Sequence, residues 1–587
     1  MEKWFIKSKR ADFSVIAKQF GISEILARLS VNRDIKSNEQ LEAYLHPSMD
    51  QLHDGSQMKD MKKACDIIKN KIEQGKSIRI VGDYDVDGVM ATYILYQGLL
   101  KCGATVDYEI PERMKDGYGI NINIINQAYE DGIDTIVTCD NGIAALEQIE
   151  HAKQLGMTVV VTDHHDIAFV EEEGERIYKL PKADAVINPK QTDCTYPFKG
   201  LCGGAVAYKL VEQLYNRFAI AHKEILELLE FCAIATVCDV MDLVDENRVI
   251  VKHGLEKMNT TSNIGLQALI QETGIDNRKM SVYHLGFVIG PCINASGRLE
   301  SAKLSLQLLL CQDKQKAKLM AKDLKELNDE RKDMTQAGLE QAIEIIENGD
   351  YDNHKVLVIY LPTCHESLAG IIAGRLRERY HKPAIVLCKA HEGVKGSARS
   401  IEAYNMFEEL NKCKSYLTKF GGHPMAAGLS LKEELIDDFR NELNQVTTLT
   451  EDDLIEKVSF DMVLPFKEIG FQLMHEIQLL EPYGKGNAKP LFALKNVHII
   501  KANLLGKNRN VLKLMVEDGS CNVKFPAMLF NQVEQFESLV IEQYGENQLQ
   551  NVYSGYQSQV CLDMVFYPDI NEYNGVQTIQ IMVQYLR

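Results

Sequence analysis

Residues 80–88 read Ile-Val-Gly-Asp-Tyr-Asp-Val-Asp-Gly and place three carboxylates, Asp83, Asp85 and Asp87, within five positions. They follow an apolar run at residues 78–81. A short apolar run bounded by glycine predicts a buried strand that ends in a turn. A single Asp-x-Asp after a strand is usually a turn or a helix N-cap, so the motif gains weight only from acidic residues later in the chain.

Two further strand-like runs end in similar chemistry. Residues 135–138 lead into Asp140, and residues 158–162 lead into an Asp-His-His triplet at residues 163–165. In an open α/β sheet, ligands collect outside the carboxyl ends of the strands. The three strand ends are therefore predicted to bring their acidic and imidazole side chains to one place.

A fourth acidic residue, Asp239, follows the apolar stretch 225–237, which is more typical of a helix, so its carboxylate is expected at a helix end. Carboxylates packed together repel one another and must take up protons or bind cations. Oxygen-rich sites suit Mg²⁺ or Mn²⁺, and imidazole shifts the preference toward Mn²⁺. Two such ions roughly 3.5–4 Å apart can activate water and stabilise the leaving oxygen of a phosphodiester. The four elements predict a two-metal hydrolytic centre.

These motifs resemble those of the DHH phosphoesterases, which carry Asp-x-Asp, a later Asp, the Asp-His-His triplet and a fourth Asp. The Gly-Asp-Tyr-Asp-x-Asp-Gly form at residues 82–88 is similar to the RecJ branch of that family, the single-strand-specific 5′→3′ exonucleases. Two further segments resemble RecJ motifs: Ile-Pro-Glu-Arg-Met-Lys-Asp-Gly-Tyr-Gly at residues 110–119 and Gly-Pro-Cys-Ile-Asn-Ala-Ser-Gly-Arg at residues 290–298.

The resemblance implies roles for individual residues. Two divalent ions, Mn²⁺ or Mg²⁺, are expected on Asp85, Asp87, Asp140, His164 and Asp239. Asp140 is expected to bridge the ions, and Asp163 to orient the histidines. Asp83 and His165 are expected beside the ions, as a ligand, a partner of a ligand or a phosphate contact. The residues expected to act directly in catalysis are Asp83, Asp140 and His165.

Motifs at residues 364–374, 396–400 and 420–428 resemble the DHHA1 substrate-binding domain. A Gly-Gly-His turn lets the backbone approach a ligand, and a Ser-x-Arg pair offers a hydroxyl and a guanidinium fork to a phosphate. The resemblance implies a pocket for a 5′-terminal phosphate. Its residues are expected to be Arg113, Arg298, Ser397 and Arg399, and further substrate contacts are expected from His365 and His423. RecJ relatives often carry tryptophan where this chain has Cys364, so an aromatic contact is missing there.

The fold class expected is α/β, with a doubly wound, mainly parallel sheet in the DHH domain, a long connector helix, an α/β DHHA1 domain and a C-terminal β-barrel. The resemblance implies that the barrel is an OB-fold that binds single strands, although a purely structural barrel fits the short strand-like runs as well. The expected domains are a helical lead-in (1–60), the DHH catalytic domain (61–300), the connector (301–351, with a long helix over 313–348 that has room for one break), the DHHA1 domain (352–450) and the barrel (455–587).

Composition limits the remaining classes. A net charge of −18 over 587 residues argues against a protein coated in DNA-binding surface, whereas the basic stretch 370–400 allows a local channel. We find no apolar core of a secretory signal near the N-terminus and no run of about 18 apolar residues. The 14 cysteines form no Cys-x-x-Cys, which is typical of reduced core residues in a cytoplasmic protein.

The function implied by the resemblance is degradation of single-stranded DNA from the 5′ end to mononucleotides during recombination and repair. The partners implied are single-stranded DNA, a single-strand-binding protein and a helicase, and the chain is expected to be a monomer. One alternative is a DHH phosphodiesterase for short oligonucleotides or cyclic dinucleotides, which lacks the long first motif and the barrel. A second alternative, a replication scaffold that has lost its metal ligands, is disfavoured because the whole ligand set is present.

Overall fold

The computed structural model describes residues 2–35, 37–113, 115–172, 175–351, 353–506 and 508–587. The chain forms two compact units. The terminal unit comprises Met1–Gln51 and Lys457–Arg587, and the central unit comprises Leu52–Glu456. None of the helices within these described ranges combines the length and the apolar character that a membrane crossing requires.

The strands are numbered in chain order. They are β1 (Lys3–Ile6), β2 (Ser77–Val81), β3 (Thr105–Glu109), β4 (Thr135–Cys139), β5 (Thr158–Thr162), β6 (Phe169–Glu172), β7 (Glu175–Tyr178), β8 (Ala185–Ile187), β9 (Leu357–Tyr360), β10 (Ala384–Lys389), β11 (Val394–Arg399), β12 (Leu417–His423), β13 (Ala426–Leu431), β14 (Lys457–Phe460), β15 (Met462–Val463), β16 (Phe492–Leu505), β17 (Val511–Asp518), β18 (Val523–Phe530), β19 (Cys561–Tyr573) and β20 (Val576–Leu586).

The α-helices are numbered in the same way, and short 3₁₀ turns and one π-helical turn (Leu285–Ile289) lie between some of them. They are α1 (Phe13–Phe20), α2 (Glu24–Asn32), α3 (Asn38–Leu45), α4 (Met61–Glu73), α5 (Val86–Lys101), α6 (Ile122–Glu130), α7 (Leu146–Gln154), α8 (Gly203–Arg217), α9 (Leu229–Cys238), α10 (Asp245–Met258), α11 (Ile264–Glu272), α12 (Val282–His284), α13 (Gly290–Leu299), α14 (Lys303–Leu310), α15 (Lys314–Asn348), α16 (Ala369–Tyr380), α17 (Met406–Lys412), α18 (Ile436–Val446), α19 (Phe471–Gln478), α20 (Val533–Tyr544) and α21 (Glu546–Ser554).

The first lobe of the central unit is built on a five-stranded sheet in the order β3-β2-β4-β5-β8, and all its pairings are parallel. Parallel neighbours need crossover connections, and helices cover the faces of such sheets. The predicted parallel α/β sheet is thereby confirmed. Because β2, β4 and β5 are adjacent, the three strand ends chosen from the sequence lie side by side.

A single helix, α15, connects the first lobe to the second. It runs without a break over 35 residues, which corresponds to about 52 Å. The sequence left room for one interruption, and that part of the prediction is wrong. Buried residues recur along most of its length, for example Ala321, Leu324 and Ala342, and this packing supports a continuous helix.

The second lobe carries a mixed sheet in the order β12-β13-β11-β10-β9. Only β9 and β10 pair in parallel, and the remaining strands are antiparallel. One face of β11 and β13 is buried under α17 and α18, with Ala398, Leu429 and Leu431 in that core. The opposite face of β11 carries Ser397 and Arg399, close to Gly370 at the start of α16.

The C-terminal part of the terminal unit is a closed barrel. Its strand order is β15-β16-β17-β18-β20-β19, and β16 also pairs with β19, which closes the ring. The prediction contained no element between β18 and β19, where the structure has α20 and α21. Phe536 and Val540 of α20 and Val552 of α21 are buried in the barrel core.

The N-terminal segment belongs to the same unit as the barrel. Strand β1 pairs in parallel with β14, and buried side chains of α2 and α3 join the barrel core. Asn487 fastens the two pieces, because its Oδ1 accepts hydrogen bonds from Tyr44 Oη (2.7 Å) and Arg33 Nε (3.0 Å). Its Nδ2 donates to the Leu480 and Pro482 carbonyls. Residues 1–51 thus share a core with a domain that begins some 400 positions later.

We expect Asn487→Ala to lower the free energy of unfolding of the terminal unit by about 2 kcal/mol or more, because four hydrogen bonds of the Asn487 side chain are lost. Trp4, the only tryptophan of the chain, lies in β1 and reports on this unit by its fluorescence. The measurement is urea unfolding followed by Trp4 emission. Asn503→Ala, on an exposed position of β16, is the control and should change the midpoint little. Equal midpoints for the two variants would contradict this role of Asn487.

Candidate active site

The first acidic motif is a strand–turn–helix. Asp85 is the N-cap of α5 and its carboxylate accepts a hydrogen bond from Gly88 N (3.0 Å). Asp87 lies in the first helical turn, where the dipole favours a negative charge. A Cβ at Gly88 would lie 2.5 Å from the Asp83 carbonyl oxygen, so only glycine lets the turn close this tightly. Asp83 and Asp87 are buried.

Asp140 occupies a left-handed backbone conformation (φ 61°) just beyond β4. Aspartate is among the residues that tolerate this region. The next residue holds the turn in place: buried Asn141 donates from Nδ2 to the Val81 and Cys139 carbonyls and accepts from Ile120 N. The Asn141 side chain thereby connects the ends of β2 and β4, which fixes Asp140 relative to the first motif.

Asp163 serves the two histidines that follow it. Its Oδ1 lies 2.7 Å from His165 Nδ1 and accepts from the backbone N–H groups of His164 (2.7 Å) and His165 (3.1 Å). Its Oδ2 accepts from Ile143 N. The hydrogen bonds of the Asp163 carboxylate thus go to backbone N–H groups of neighbouring loops and to the His165 ring. This agrees with the expectation that Asp163 orients the imidazoles.

His164 lies at the centre of the convergent side chains. Its Nε2 is 3.1 Å from Asp140 Oδ1 and 3.6 Å from both Asp87 Oδ2 and Asp239 Oδ2. Asp239 is the C-cap of α9, so the prediction that it comes from a helix end is confirmed. A carboxylate at a helix C-terminus faces the negative end of the dipole, an arrangement that favours a nearby cation.

The potential ligand atoms form three overlapping groups within the described residues, and the atoms of each group lie within 4.8 Å of one another. The groups are Asp83/Asp85/Asp140, Asp87/His164/Asp239 and Asp140/His164/His165. Asp140 and His164 each occur in two of them. Asp83 Oδ1, Asp140 Oδ1 and His164 Nε2 are buried without a hydrogen bond from a described residue. Buried polar atoms left this way are costly, so the site fits divalent cations well.

The raised pKa values of the carboxylates show how unfavourable their negative charges are without cations. Burial and the charge of Asp85 raise the pKa of Asp83 to about 8 and that of Asp87 to about 6. Burial and the neighbouring aspartates raise the pKa of Asp239 to about 8 and that of Asp140 well above its ordinary value. Each of these carboxylates therefore binds a proton more tightly than it would in water, and a metal ion can take the proton's place.

The pKa values of the two histidines are shifted in opposite directions. Burial and the charge of His165 lower the pKa of His164 to about 3, so its imidazole is neutral, as a metal ligand must be. For His165, burial acts in the lowering direction, but the hydrogen bond and charge of Asp163 outweigh it and raise the pKa to about 9.

The N-terminus of α8 supplies a part of the site that the sequence analysis missed. Gly203 N and Gly204 N donate to the two carboxylate oxygens of Asp87, each at 2.7 Å. A Cβ at Gly203 would lie 2.6 Å from Asp140 Cβ, so glycine is needed for this approach. The only sequence signal for this contact was the Cys-Gly-Gly segment that precedes a helical pattern at residues 202–204. That segment does not indicate which carboxylate its N–H groups bind.

Two of the arginines predicted to bind phosphate, Arg113 and Arg298, lie close together beside the cluster of potential metal ligands. Arg298 Nη1 donates to the Ser367 carbonyl (2.7 Å), a contact between the two lobes. Burial and the charges of Arg113 and Arg331 lower the pKa of Arg298 to about 10. Arg113 lies 3.9 Å above the Tyr84 ring, and its Nε is buried without a described partner. Such crowding of cations is unfavourable unless an anion joins them.

The other predicted contacts lie at the edge of the second lobe. Ser397 and Arg399 share one face of β11, as residues two apart on a strand do. His423 ends β12 and lies near Asp166, next to the histidine triplet; the hydrogen bond from Lys190 is the main cause of the lowered pKa of Asp166. His365 is half-buried at the cap of a short 3₁₀ turn, with Nδ1 2.7 Å from Ser367 Oγ.

Two further side chains escaped the sequence analysis. Tyr118 Oη donates to the Asp140 carbonyl (2.7 Å) and lies 3.2 Å from His165 Nδ1. Arg331, near the middle of α15, joins the arginine cluster, and burial lowers its pKa. The Lys/Glu-rich sequence of α15 predicted a helix that connects two lobes, but nothing in it marks the turn that meets the site.

Three family models match the chain over adjoining parts of its length. The model described as the DHH family, N-terminal domain, matches residues 77–236. The DHHA1 domain matches residues 353–448, and the RecJ OB domain matches residues 460–585.

Individual relatives extend these matches over most of the chain. It is 37% identical over 543 residues to the single-stranded-DNA-specific exonuclease RecJ of Bacillus subtilis (strain 168), covering 92% of this chain and 67% of the relative. It is 31% identical over 580 residues to the Escherichia coli (strain K12) protein of the same name, covering 95% of both. A crystal structure of RecJ in complex with Mn²⁺ from Thermus thermophilus matches with a TM-score of 0.81 and 25% identity over 100% of this chain and 79% of that one.

We expect Gly203→Ala to lower activity and Mn²⁺ affinity by at least about 100-fold, because its Cβ overlaps Asp140 and moves a ligand by more than the site tolerates. Gly374→Ala, in α16 with open space around it, is the matched control and should change neither quantity. Activity and isothermal titration with Mn²⁺ are the measurements, and circular dichroism checks the fold. Unchanged Mn²⁺ affinity in Gly203→Ala would contradict the close approach.

The metal-free central unit should lose stability as the pH rises from about 7 to 8. The folded Asp83 and Asp239 hold protons up to about pH 8, whereas the unfolded chain releases them near its ordinary value of 3.8, so raising the pH favours unfolding. His165 acts in the same direction, because its pKa in the folded state is raised to about 9. Calorimetry with and without saturating Mn²⁺ tests this: the fall should shrink strongly with Mn²⁺, and a pH-independent metal-free transition would contradict it.

Proposed function

Since the chain belongs to the RecJ family of DHH phosphoesterases, we propose that it removes mononucleotides from the 5′ end of single-stranded DNA. One observation carries this proposal: a buried cluster of metal-ligating side chains lies beside a cluster of arginines within the central unit. The first cluster suits the hydrolysis of a phosphodiester and the second suits the capture of a phosphate. The match to the RecJ OB domain separates it from the small-substrate members of the family, which usually lack such a barrel.

The cofactors are two divalent cations, Mn²⁺ or Mg²⁺. Asp83, Asp85 and Asp140 would hold one ion, and Asp87, His164 and Asp239 the other. Asp140 would lie between the two groups, because its Oδ1 is 3.1 Å from His164 Nε2. This assignment adds Asp83 to the ligands expected from the sequence. When bound, such ions supply an activated water and compensate the charge that develops on the phosphate.

The protein side chains around the ions position the reacting groups. Asp163 holds Nδ1 of His165, so the ring can present Nε2 to a non-bridging oxygen of the scissile phosphate. Tyr118 braces the Asp140 backbone and the same imidazole. The N–H groups of Gly203 and Gly204 keep Asp87 in the orientation that a ligand needs. These contacts are in place before substrate arrives, which lowers the cost of ordering the site.

The polarity of the reaction follows from a pocket for the 5′-terminal phosphate. Arg113, Arg298, Ser397 and Arg399 form it in this proposal, and His423 lies close by. A guanidinium fork and a hydroxyl match the geometry of a phosphate. Because the pocket and the metal centre are fixed in one unit, a strand held by its end places the first internucleotide bond at the ions, and one nucleotide leaves per event.

The biological setting is also proposed from the family. Single strands produced by a helicase and covered by a single-strand-binding protein are the expected substrates, in the cytoplasm, during recombination and repair. We expect the enzyme to act as a monomer, because the metal-type groups and the arginine cluster all come from one chain.

The direct test is digestion of a 3′-labelled single strand with a 5′-phosphate in Mn²⁺ or Mg²⁺, beside a duplex and a dinucleotide. We expect progressive shortening from the 5′ end, no digestion of the duplex and none without metal. Asp140→Asn, which keeps the left-handed backbone and the side-chain volume, should lose at least about 1,000-fold in activity with its fold intact. Cleavage of the dinucleotide alone would move the chain to the small-substrate branch.

The terminal-phosphate pocket predicts a selective effect of Arg399→Ala. Rates on a 5′-phosphorylated strand should fall by about 10- to 100-fold, the loss of a bidentate charged contact, while rates on a 5′-hydroxyl strand change little. Arg379→Ala, an exposed arginine of the same lobe, is the matched control. The ratio kcat/KM on the two strands is measured for each variant. Equal losses on both strands would remove Arg399 from the pocket.

A further inference from the structure

The ligand-facing side of the second lobe is organised in rows across three strands. The register pairs residues of β11, β13 and β12 directly opposite one another, and residues two apart on one strand share a face. On the face opposite the buried core, three successive rows follow from this register. They are Arg399–Ala426–His423, Ser397–Gly428–Gly421 and Lys395–Ser430–Lys419.

The three rows differ in chemistry. The Arg399 row and the Ser397 row contain the residues assigned above to the 5′-terminal phosphate. The two glycines of the middle row leave the sheet surface bare, so a ligand can lie directly on the backbone. The lysine row has no task in the proposed exonuclease reaction. It presents two ammonium groups and a hydroxyl one row further, about 6.8 Å along the strands.

The lysine row lines a cavity that continues beyond the phosphate position. The cavity has a volume of about 550 Å³ and is bounded by Lys395, Lys419 and Ser430 on the sheet side and by Tyr84 and Arg113 on the first lobe. Sites of this size hold small organic molecules, so it is larger than a single phosphate needs. The space lies where a group attached to the terminal phosphate would extend.

The charges in this cavity favour an anion. Lys395 lies 3.2 Å from the Glu366 carboxylate, which neutralises one of the two lysines. Lys419 is exposed and forms no ion pair within the described residues. Arg113 adds a guanidinium whose buried Nε has no described partner. The lining of the cavity therefore contains three cations, Lys395, Lys419 and Arg113, and one carboxylate, Glu366.

We propose that this cavity accepts polyphosphorylated 5′ ends, and that the enzyme degrades strands that begin with a 5′-triphosphate. The inference rests on the proposed exonuclease function. The α-phosphate would occupy the Ser397 row, and the γ-phosphate would reach Lys395 and Lys419, a span that two pyrophosphate links can bridge. Lysine suits this task because its flexible ammonium follows an extended anion without a fixed geometry.

The chemistry at the metal centre is unchanged by such an end. Water attacks the first internucleotide phosphorus, the bond from that phosphorus to O3′ of the terminal nucleotide breaks, and O3′ takes up a proton. The first product is then a nucleoside 5′-triphosphate with its pyrophosphate links intact. The shortened strand carries a 5′-monophosphate, so every later product is a mononucleotide.

The experiment compares three 3′-labelled single strands that differ only in a 5′-hydroxyl, 5′-monophosphate or 5′-triphosphate, and mass spectrometry identifies the first nucleotide released. We expect the triphosphate strand to be degraded within about threefold of the monophosphate strand, with nucleoside triphosphate as first product. The inference is overturned if the triphosphate strand is no better than the hydroxyl strand while the monophosphate strand is digested. Failure of all three strands would instead overturn the exonuclease function.

A double variant, Lys395→Gln with Lys419→Gln, tests the row itself. It should lower kcat/KM on the triphosphate strand by about 10-fold or more and leave the monophosphate strand within about twofold. Lys412→Gln with Lys414→Gln removes two charges from α17 and the turn after it, and should affect neither strand. Equal losses on both strands would show that the lysines hold the body of the strand, and would overturn the inference.

Discussion

The mutual repulsion of buried carboxylates is the constraint on which the rest of this structure depends. Asp83, Asp87 and Asp140 are almost fully buried, and Asp85 and Asp239 lie against them. Without cations the cluster holds protons that these groups would release in water. Because folded proteins are only marginally stable, the unfavourable free energy of burying these carboxylates must be offset by binding. The binding of divalent ions can offset it.

The surrounding backbone is built to keep the carboxylates close despite that repulsion. Three adjacent parallel strands end at the same edge, and tight turns at Gly88 and Asp140 bring the acidic residues over it. The N-terminus of α8 offers two N–H groups to Asp87, and no side chain at Gly203 obstructs the approach. The opposite charge comes from Arg113 and Arg298 of the first lobe, Arg331 of the connector helix and Arg399 of the second lobe. Negative and positive clusters side by side suit a substrate that bridges them through metal ions and phosphates.

The sequence was enough to predict the strands and acidic residues at the catalytic edge of the sheet. It was not enough to predict the contacts that hold those residues in place. The strands before Asp83, Asp140 and Asp163 could be predicted because apolar runs of four or five residues are local signals. Contacts that depend on distant packing left no such signal, as with Arg331 on the connector helix and the glycines of α8. The union of residues 1–51 with the barrel was equally unreadable, because the hydrogen bonds of Asn487 join positions more than 400 apart.

The measurement that tests this account most directly is low-temperature electron paramagnetic resonance of the protein loaded with Mn²⁺. Asp140 of one ligand group lies 3.1 Å, by its Oδ1, from Nε2 of His164 in the other group, so two ions held by these groups would lie close enough for their electron spins to couple. The account predicts two Mn²⁺ per chain with the spectrum of a coupled pair. A single bound ion, or two with the spectrum of isolated Mn²⁺, would contradict it.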